Sequence, residues 1–377
     1  MLKVHASVAF VLPLALLTSN ADGAVLNVCV KGCQYSTIQS AVNAAASNDQ
    51  IWIGKGIYTE NVTIQGKTLL LDGVGSDRTI VDGSGASRPV FTLGPPTPTG
   101  TGTHHVTLQN MTITQGSTQK TGGGVLVRSG AALILRSSVV TGNNAWGAGG
   151  GIAIETPGGL ISTITDSTIE SNSAEPPNSR GLASRGGGIF VDANSSLNLS
   201  DSVIRGNSTH AGGGGLSAEQ GSQVTITRTT FQGNSADGYI FQGVSQGCGG
   251  AVAASAAMSI SNSTMSENFA DLGGGFCANS SVDKQIVTIE GTTISRNTAG
   301  GGQEDSGTLG AGLYAFNSAT PHTTQITLDH VYLSQNNNIT SNTEDEIFTV
   351  GAVKVIHTNT TIGDPVNSGC HGASCPK

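Results

Sequence analysis

The sequence predicts an all-β fold: a single-stranded right-handed parallel β-helix (solenoid) with an N-terminal capping helix. Three observations predict it. Seven times an apolar residue, two variable residues and an asparagine precede a cluster of glycines. The asparagines are Asn143, Asn172, Asn207, Asn234, Asn268, Asn297 and Asn336, spaced by 27 to 39 residues, a period that belongs to the coils of a solenoid. After the last glycine of each cluster, positions +1 and +3 are apolar, as in Ile152 and Ile154 or Ile189 and Val191, while +2 and +4 are mixed. That is strand alternation. The composition agrees: 54 glycines, 11% charged residues and 4% aromatics suit a turn-rich β protein with small side chains.

The elements follow in order. Residues 1–21 read as a signal peptide: Lys3, the apolar Val8–Leu17, then Ser19-Asn20-Ala21 as a small-x-small cleavage pattern. The apolar stretch is too short to span a bilayer, and no later segment is apolar enough to be transmembrane. The expected location is secreted: extracellular, periplasmic or cell surface. Loss of Lys3 takes the net charge from -8 to -9, which argues against nucleic acid as a partner. Residues 22–50 form an N-terminal cap, with an amphipathic helix over 34–49 opened by a Ser36/Gln39 capping box. An open solenoid end exposes core and strand edges, so a cap is required there. The β-helix spans 51–356, beginning with short strands at Ile51–Ile53, Val62–Ile64, Leu69–Leu71 and Thr79–Val81. Residues 357–377 form a tail.

Six cysteines fit an oxidising compartment. Cys29 with Cys33 and Cys370 with Cys375 could staple the two ends; Cys248 and Cys277 lie in neighbouring repeats, at different offsets from their glycines. Each coil carries three strands. A second strand is seen in Leu197-Asn198-Leu199, and a third is anchored three residues before each asparagine, as at Ile204 and Phe231. The recurring asparagine is expected to stack at an interior turn, its amides bonding along the ladder.

Tyr35-Ser-Thr-Ile-Gln-Ser-Ala-Val42 followed by Gly56-Ile-Tyr-Thr-Glu-Asn-Val-Thr-Ile64 resembles the opening of the pectin-lyase-like β-helix superfamily, which includes pectin methylesterases. The pairing of Phe/Ile-x-x-Asn with Gly-Gly-Gly-Ile resembles the repeats of polymorphic outer-membrane proteins. The resemblance covers roughly residues 34–355 and implies the fold. It does not select a function, because the superfamily holds lyases, hydrolases, esterases, epimerases and adhesins. The esterase's catalytic segments, with their paired Asp and Arg, are not found.

Length variation falls almost wholly between an asparagine and the next glycine cluster. It places long excursions at Ser173–Arg185, Ser235–Gly247, Thr298–Leu309 and Asn337–Thr349, all at one edge of the stack. The outward +4 column beside them reads Arg128, Glu155, Asp192, Glu219, Ala254, Asn279, Phe316. Carboxylates on consecutive strands about 4.8 Å apart repel, so a bound cation, a shared proton or Arg128 should compensate. Glu155, Asp192 and Glu219 are therefore the candidate catalytic or calcium-binding residues, with Arg128 placed to bind a uronate carboxylate. The resemblance implies that lyases of the superfamily hold calcium with acidic residues on such a surface. Phe190, Tyr239, Phe241 and Tyr314 are candidates to stack on sugar rings; Arg180 and Arg185 are further ligand-binding candidates and, with Arg128, the only plausible basic partners near the carboxylates. Glu304-Asp305 and Glu344-Asp345-Glu346 read as solvated acidic loops.

The sequence thus predicts a secreted or surface-exposed protein binding carbohydrate or another cell-surface ligand, with a polysaccharide or cell-surface glycan as partner. The alternative is a polysaccharide-degrading enzyme, a pectate-lyase-like lyase or a glycoside hydrolase, working through the carboxylate column. No other cofactor is implied: histidines are scattered, and no zinc spacing, nucleophile elbow or phosphate loop occurs.

Overall fold

The computed structural model describes residues 23–95, 103–175, 184–238, 240–241, 244–245, 247–280, 285–300, 310–317, 324–338, 343–362 and 369–372. The leader expected over 1–21 lies outside them, as do Cys375, Glu304 and Asp305. Each coil passes through three long parallel faces. The first is a 12-stranded sheet running from Val25–Val28 to Val353–Thr358, and the second an 11-stranded sheet from Gly56–Thr59 to Thr361–Ile362. The third face belongs to a 19-stranded assembly that also contains a ladder of two-residue strands just after each asparagine, such as Ser173–Ala174 and Ser208–Thr209.

Register is continuous from coil to coil. Ile189, Phe190 and Val191 pair with Ile152, Ala153 and Ile154 on one side and with Leu216, Ser217 and Ala218 on the other. In the first sheet Leu197 and Leu199 point inward and Asn198 outward. Val127, Ile154, Val191, Ala218, Ala254, Ala278 and Ala315 form one interior column. Where it shrinks to alanine, the same core takes up Phe231, Met265 and Phe276, so volume lost on one wall is supplied by another.

The asparagine ladder is as expected. Nδ2 of Asn143, Asn172, Asn207 and Asn234 each donates at 3.0 Å to Oδ1 of the asparagine one coil on. Asn268 and Asn297 continue the chain at 2.9 Å. Each Oδ1 also accepts the backbone N–H of the preceding asparagine, for example Asn172 N–H at 3.0 Å from Asn207. The residue before each asparagine is left-handed, as at Ser171 (φ 53°) and Glu267 (φ 60°). This bend turns the asparagine side chain into the core.

A second polar ladder, not expected from the sequence, runs at the corner between the first and second sheets. There one residue per coil is left-handed, including Ser137, Asp166, Asp201 and Arg228. The next residue is a buried Ser or Thr whose hydroxyl accepts the backbone N–H of the coil before. Ser138 N–H reaches Ser167 Oγ at 3.3 Å, and Ser167 N–H reaches Ser202 Oγ at 3.2 Å. Both ladders satisfy backbone donors that tight interior turns would leave unpaired.

The glycine triplets are needed for closeness more than for bending. At Gly186 (φ 64°) a left-handed turn is required. At Gly187 and Gly188 a Cβ would lie 2.3 Å from Ser208 O and 2.6 Å from Gly215 O. Two repeats depart from the alignment that takes the last glycine of each cluster, here Gly250 and Gly351, as the column position. Val252 pairs with Leu216, so the column position of Gly215 is taken by Ala251, not Gly250. Ile347 pairs with Leu313, so Gly312 is followed by Glu346, not by Gly351.

The cap helix is shorter than expected, Ile38–Ala44. Its N-cap is Thr37, whose Oγ1 accepts Ser40 N–H at 3.2 Å, so the Ser36/Gln39 box is not the cap. Glu60 holds the helix start: its two carboxylate oxygens accept the N–H groups of Ile38 and Gln39 at 2.8 and 3.0 Å. Disulfides join Cys29 to Cys33 and Cys248 to Cys277. Among the described residues no helix is long and apolar enough to cross a membrane.

Candidate functional site

The excursions leave the stack between the short ladder and the third sheet, and their bases fold back over that sheet. Ala148 bridges to Arg185, Gly212 to Cys248 and Cys248 to Leu272, making a row of covering turns. Beneath them the outward +2 column is buried. Leu126, Ala153 and Phe190 pack with Ala148 as a separate apolar cluster, and Ser217 and Cys277 are buried in the same column. Phe190 is therefore a packing residue, not a free platform for a sugar ring. Tyr314 stacks on Phe348, with ring centroids 5.9 Å apart, and burial raises its phenol pKa. Arg180 and Tyr239 lie outside the described residues, as does the side chain of Phe241, whose backbone forms a hairpin with Val244. The last expected excursion is not a loop throughout: Thr343–Gly351 is a strand paired with Leu313–Asn317.

The carboxylates do occupy consecutive rungs. Arg128 is in register with Glu155, Asp192 N–H donates to Ile154 O at 2.9 Å, and Glu219 N–H donates to Val191 O at 2.9 Å. Beyond Glu219 the column changes. Ser255 N–H reaches Ala218 O, so Ser255, not Ala254, holds the next rung. Compensation comes from a residue of the excursion: Arg185 Nη1 lies 2.5 Å from Glu219 Oε2. This pair borders a small cavity of about 70 Å³ with Ser217, Ser255 and Asn279. Among the described residues no group of three acidic, His or Cys side chains could hold a metal ion. Calcium does not fit the three carboxylates as arranged, because Glu219 already carries a guanidinium.

A larger groove opens at the N-terminal coils, where among the described residues no such turn covers the third sheet. Its volume is about 600 Å³. Thr63 and Thr92 are in register with each other, and Thr92 with Leu126. They occupy the column that is buried further along, but here they line open space. Asn61, Gln65 and Gln119 add amide groups to the wall, and Arg88, Lys120 and Arg128 add cations. Arg128 thus lines this groove and makes no ion pair with Glu155. Arg128 is legible in the sequence as a ligand contact, whereas Arg88 and Lys120 are not. The usable signal was positional: the two earliest coils carry Thr at the column that later holds Leu126, Ala153 and Phe190.

A family model described as a right handed beta helix region matches residues 99–281. This chain is a right-handed parallel β-helix protein. No curated protein matches it. Among solved structures, the β-helix protein is similar to a pectin methylesterase from Aspergillus niger. The identity is 13%, the cover 95% of this chain and 93% of that one, and the TM-score 0.38. It is also similar to the A-module of a mannuronan C-5 epimerase from Azotobacter vinelandii, at 13% identity over 89% of this chain and 95% of that one, with a TM-score of 0.44. For a pectin methylesterase from carrot the identity is 13%, the cover 90% of both chains and the TM-score 0.38. At these values no residue role passes from those proteins to this one.

Proposed function

We propose that this β-helix protein is secreted and binds carbohydrate, or another ligand of a cell surface, along the side of its third sheet. The groove carries the reading. It is an open trough of about 600 Å³, within the size range of ligand sites. Hydroxyl, amide and cationic side chains line it, groups that hydrogen-bond sugars or their acidic substituents. The two disulfides support a location outside the reducing cytosol. The test is a calorimetric or surface-based binding screen of the full chain against polysaccharides of plant, algal and bacterial walls. Saturable binding to at least one is expected, and no binding across the panel would remove the reading.

One observation favours a second reading, a polysaccharide lyase or hydrolase. Glu155 and Asp192 stand on adjacent rungs, and among the described residues neither has a cationic partner. Carboxyl groups about 5 Å apart suit a nucleophile–acid pair. Release of reducing ends or unsaturated products by the wild type, lost in Asp192→Asn, would establish it; no product from any polymer would end it.

A further inference from the structure

The charge inside the groove is the reverse of the molecule's. The chain carries a formal net charge of -8, yet among the described residues the groove is lined by Arg88, Lys120 and Arg128 and by no Asp or Glu. Among the described residues none of these three cations makes an ion pair. The protein has carboxylates close by: Glu155 is the register neighbour of Arg128. Elsewhere it satisfies exposed arginines with acids, as at Arg228 with Asp201 and Arg205 with Glu170. Three unneutralised cations converging on one open trough are left for a ligand.

The backbone holds them in place. Arg128 ends a strand paired on both sides, with Phe91–Leu93 and Ile152–Glu155. The Arg88 turn is tied down by Asn61, whose Nδ2 donates to Pro89 O at 3.0 Å. Lys120 O accepts Gly147 N–H at 2.8 Å, and Lys120 N–H donates to Thr118 Oγ1 at 3.2 Å. Guanidinium groups present a planar fork that matches carboxylate and sulfate oxygens, while lysine acts as a mobile point charge.

We infer that the groove takes a polyanionic glycan, a chain whose units carry carboxylate or sulfate groups. This rests on the carbohydrate-binding reading and narrows it. The same geometry limits where the ligand lies. A chain of anions extending toward the C-terminal coils would meet Glu155 and then Asp192, so the bound segment stops at the Arg128 rung.

The experiment uses the full chain with three probes: polygalacturonate, dextran sulfate and neutral dextran, each at low and high salt. Expected are saturable binding to at least one polyanion, weakening as salt screens the contacts, and none to dextran. Binding to polygalacturonate alone assigns the anion as carboxylate, and binding to dextran sulfate alone assigns it as sulfate. Lys120→Gln and Arg128→Gln should each weaken binding by roughly two- to fivefold, the scale of an exposed charge contact. Circular dichroism should show an unchanged β-helix. Salt-insensitive binding that includes dextran, or undiminished binding by both variants, would overturn the inference while leaving carbohydrate binding intact. No binding to any glycan, in this set or in the wider panel, would overturn both.

Discussion

Asn336 donates from Nδ2 to the carboxylate of Glu346, and Glu346 stands on the rung that Gly312 holds one coil earlier. The asparagine ladder therefore ends on a buried acid. From Asn172 to Asn336 each asparagine Oδ1 accepts two N–H groups from the coil before, and the last asparagine finds its own acceptor in Glu346. A residue that sequence alone places in a solvated acidic loop is thus a terminating cap of the interior.

The ladder predicts a steep and position-dependent cost. Asn207→Ala removes the acceptor of both Asn172 N–H and Asn172 Nδ2, and leaves Ile169 O without its donor. Buried unsatisfied groups cost about 1–3 kcal/mol each. A loss of roughly 3 kcal/mol or more is expected by chemical denaturation, and a loss below about 1 kcal/mol would contradict the ladder.

At the ladder's end the acceptor matters. Glu346→Gln keeps an oxygen for Asn336 Nδ2, whereas Glu346→Ala removes it. Glu346→Ala should therefore cost about 1–3 kcal/mol more than Glu346→Gln. Equal denaturation midpoints for the two variants would contradict this.

How much of this was legible follows from periodicity. The asparagine column, its apolar anchors and the +1/+3 strand could be read because each recurs in a fixed local pattern, and the sheets align them as expected. The Ser/Thr ladder at Ser138, Ser167 and Ser202 was hidden, since Ser and Thr also fill exposed strand positions throughout the chain. Ala251 and Glu346 were misaligned because a glycine lay within reach, at Gly250 and Gly351, and drew the alignment off its rung. Alternation assigns the outward +2 column to its face but not its burial. Its burial at Phe190 depends on turns from other coils, a contact that alternation within one strand does not encode. The groove is illegible for the complementary reason: among the described residues no such turn lies over Thr63 and Thr92.

The Cys248–Cys277 bridge closes a loop with a sequence separation of 29, whereas Cys29–Cys33 closes one of 4. Loop-closure entropy assigns about 3.5 kcal/mol to the longer one. The double substitution Cys248→Ala with Cys277→Ala should therefore lower stability more than Cys29→Ser with Cys33→Ser, whose short loop is worth about 2 kcal/mol on the same scale. Equal losses would contradict this.

Asp201 and Arg228 join adjacent coils through bonds of 2.6 and 2.7 Å. The Arg228 hydrogen bond holds the Asp201 carboxyl below its ordinary value of 3.8, with the guanidinium charge adding to it. A depressed folded-state pKa contributes stability above the unfolded value that is lost as pH falls through the folded one. The small penalty of Asp201→Asn should thus be present near neutrality and fade as pH falls below 3.8 and through the lower folded-state value. A penalty that persists in strong acid would show that the pair's charge is not its source.

The central claim is that ligand is held at the groove of the first coils and not at the carboxylate column. Its most direct test is the affinity of the full chain for its polyanion in two variants, Arg128→Gln and Asp192→Asn. The structure predicts weaker binding for Arg128→Gln and unchanged or slightly tighter binding for Asp192→Asn. Binding lost in Asp192→Asn and kept in Arg128→Gln would contradict it.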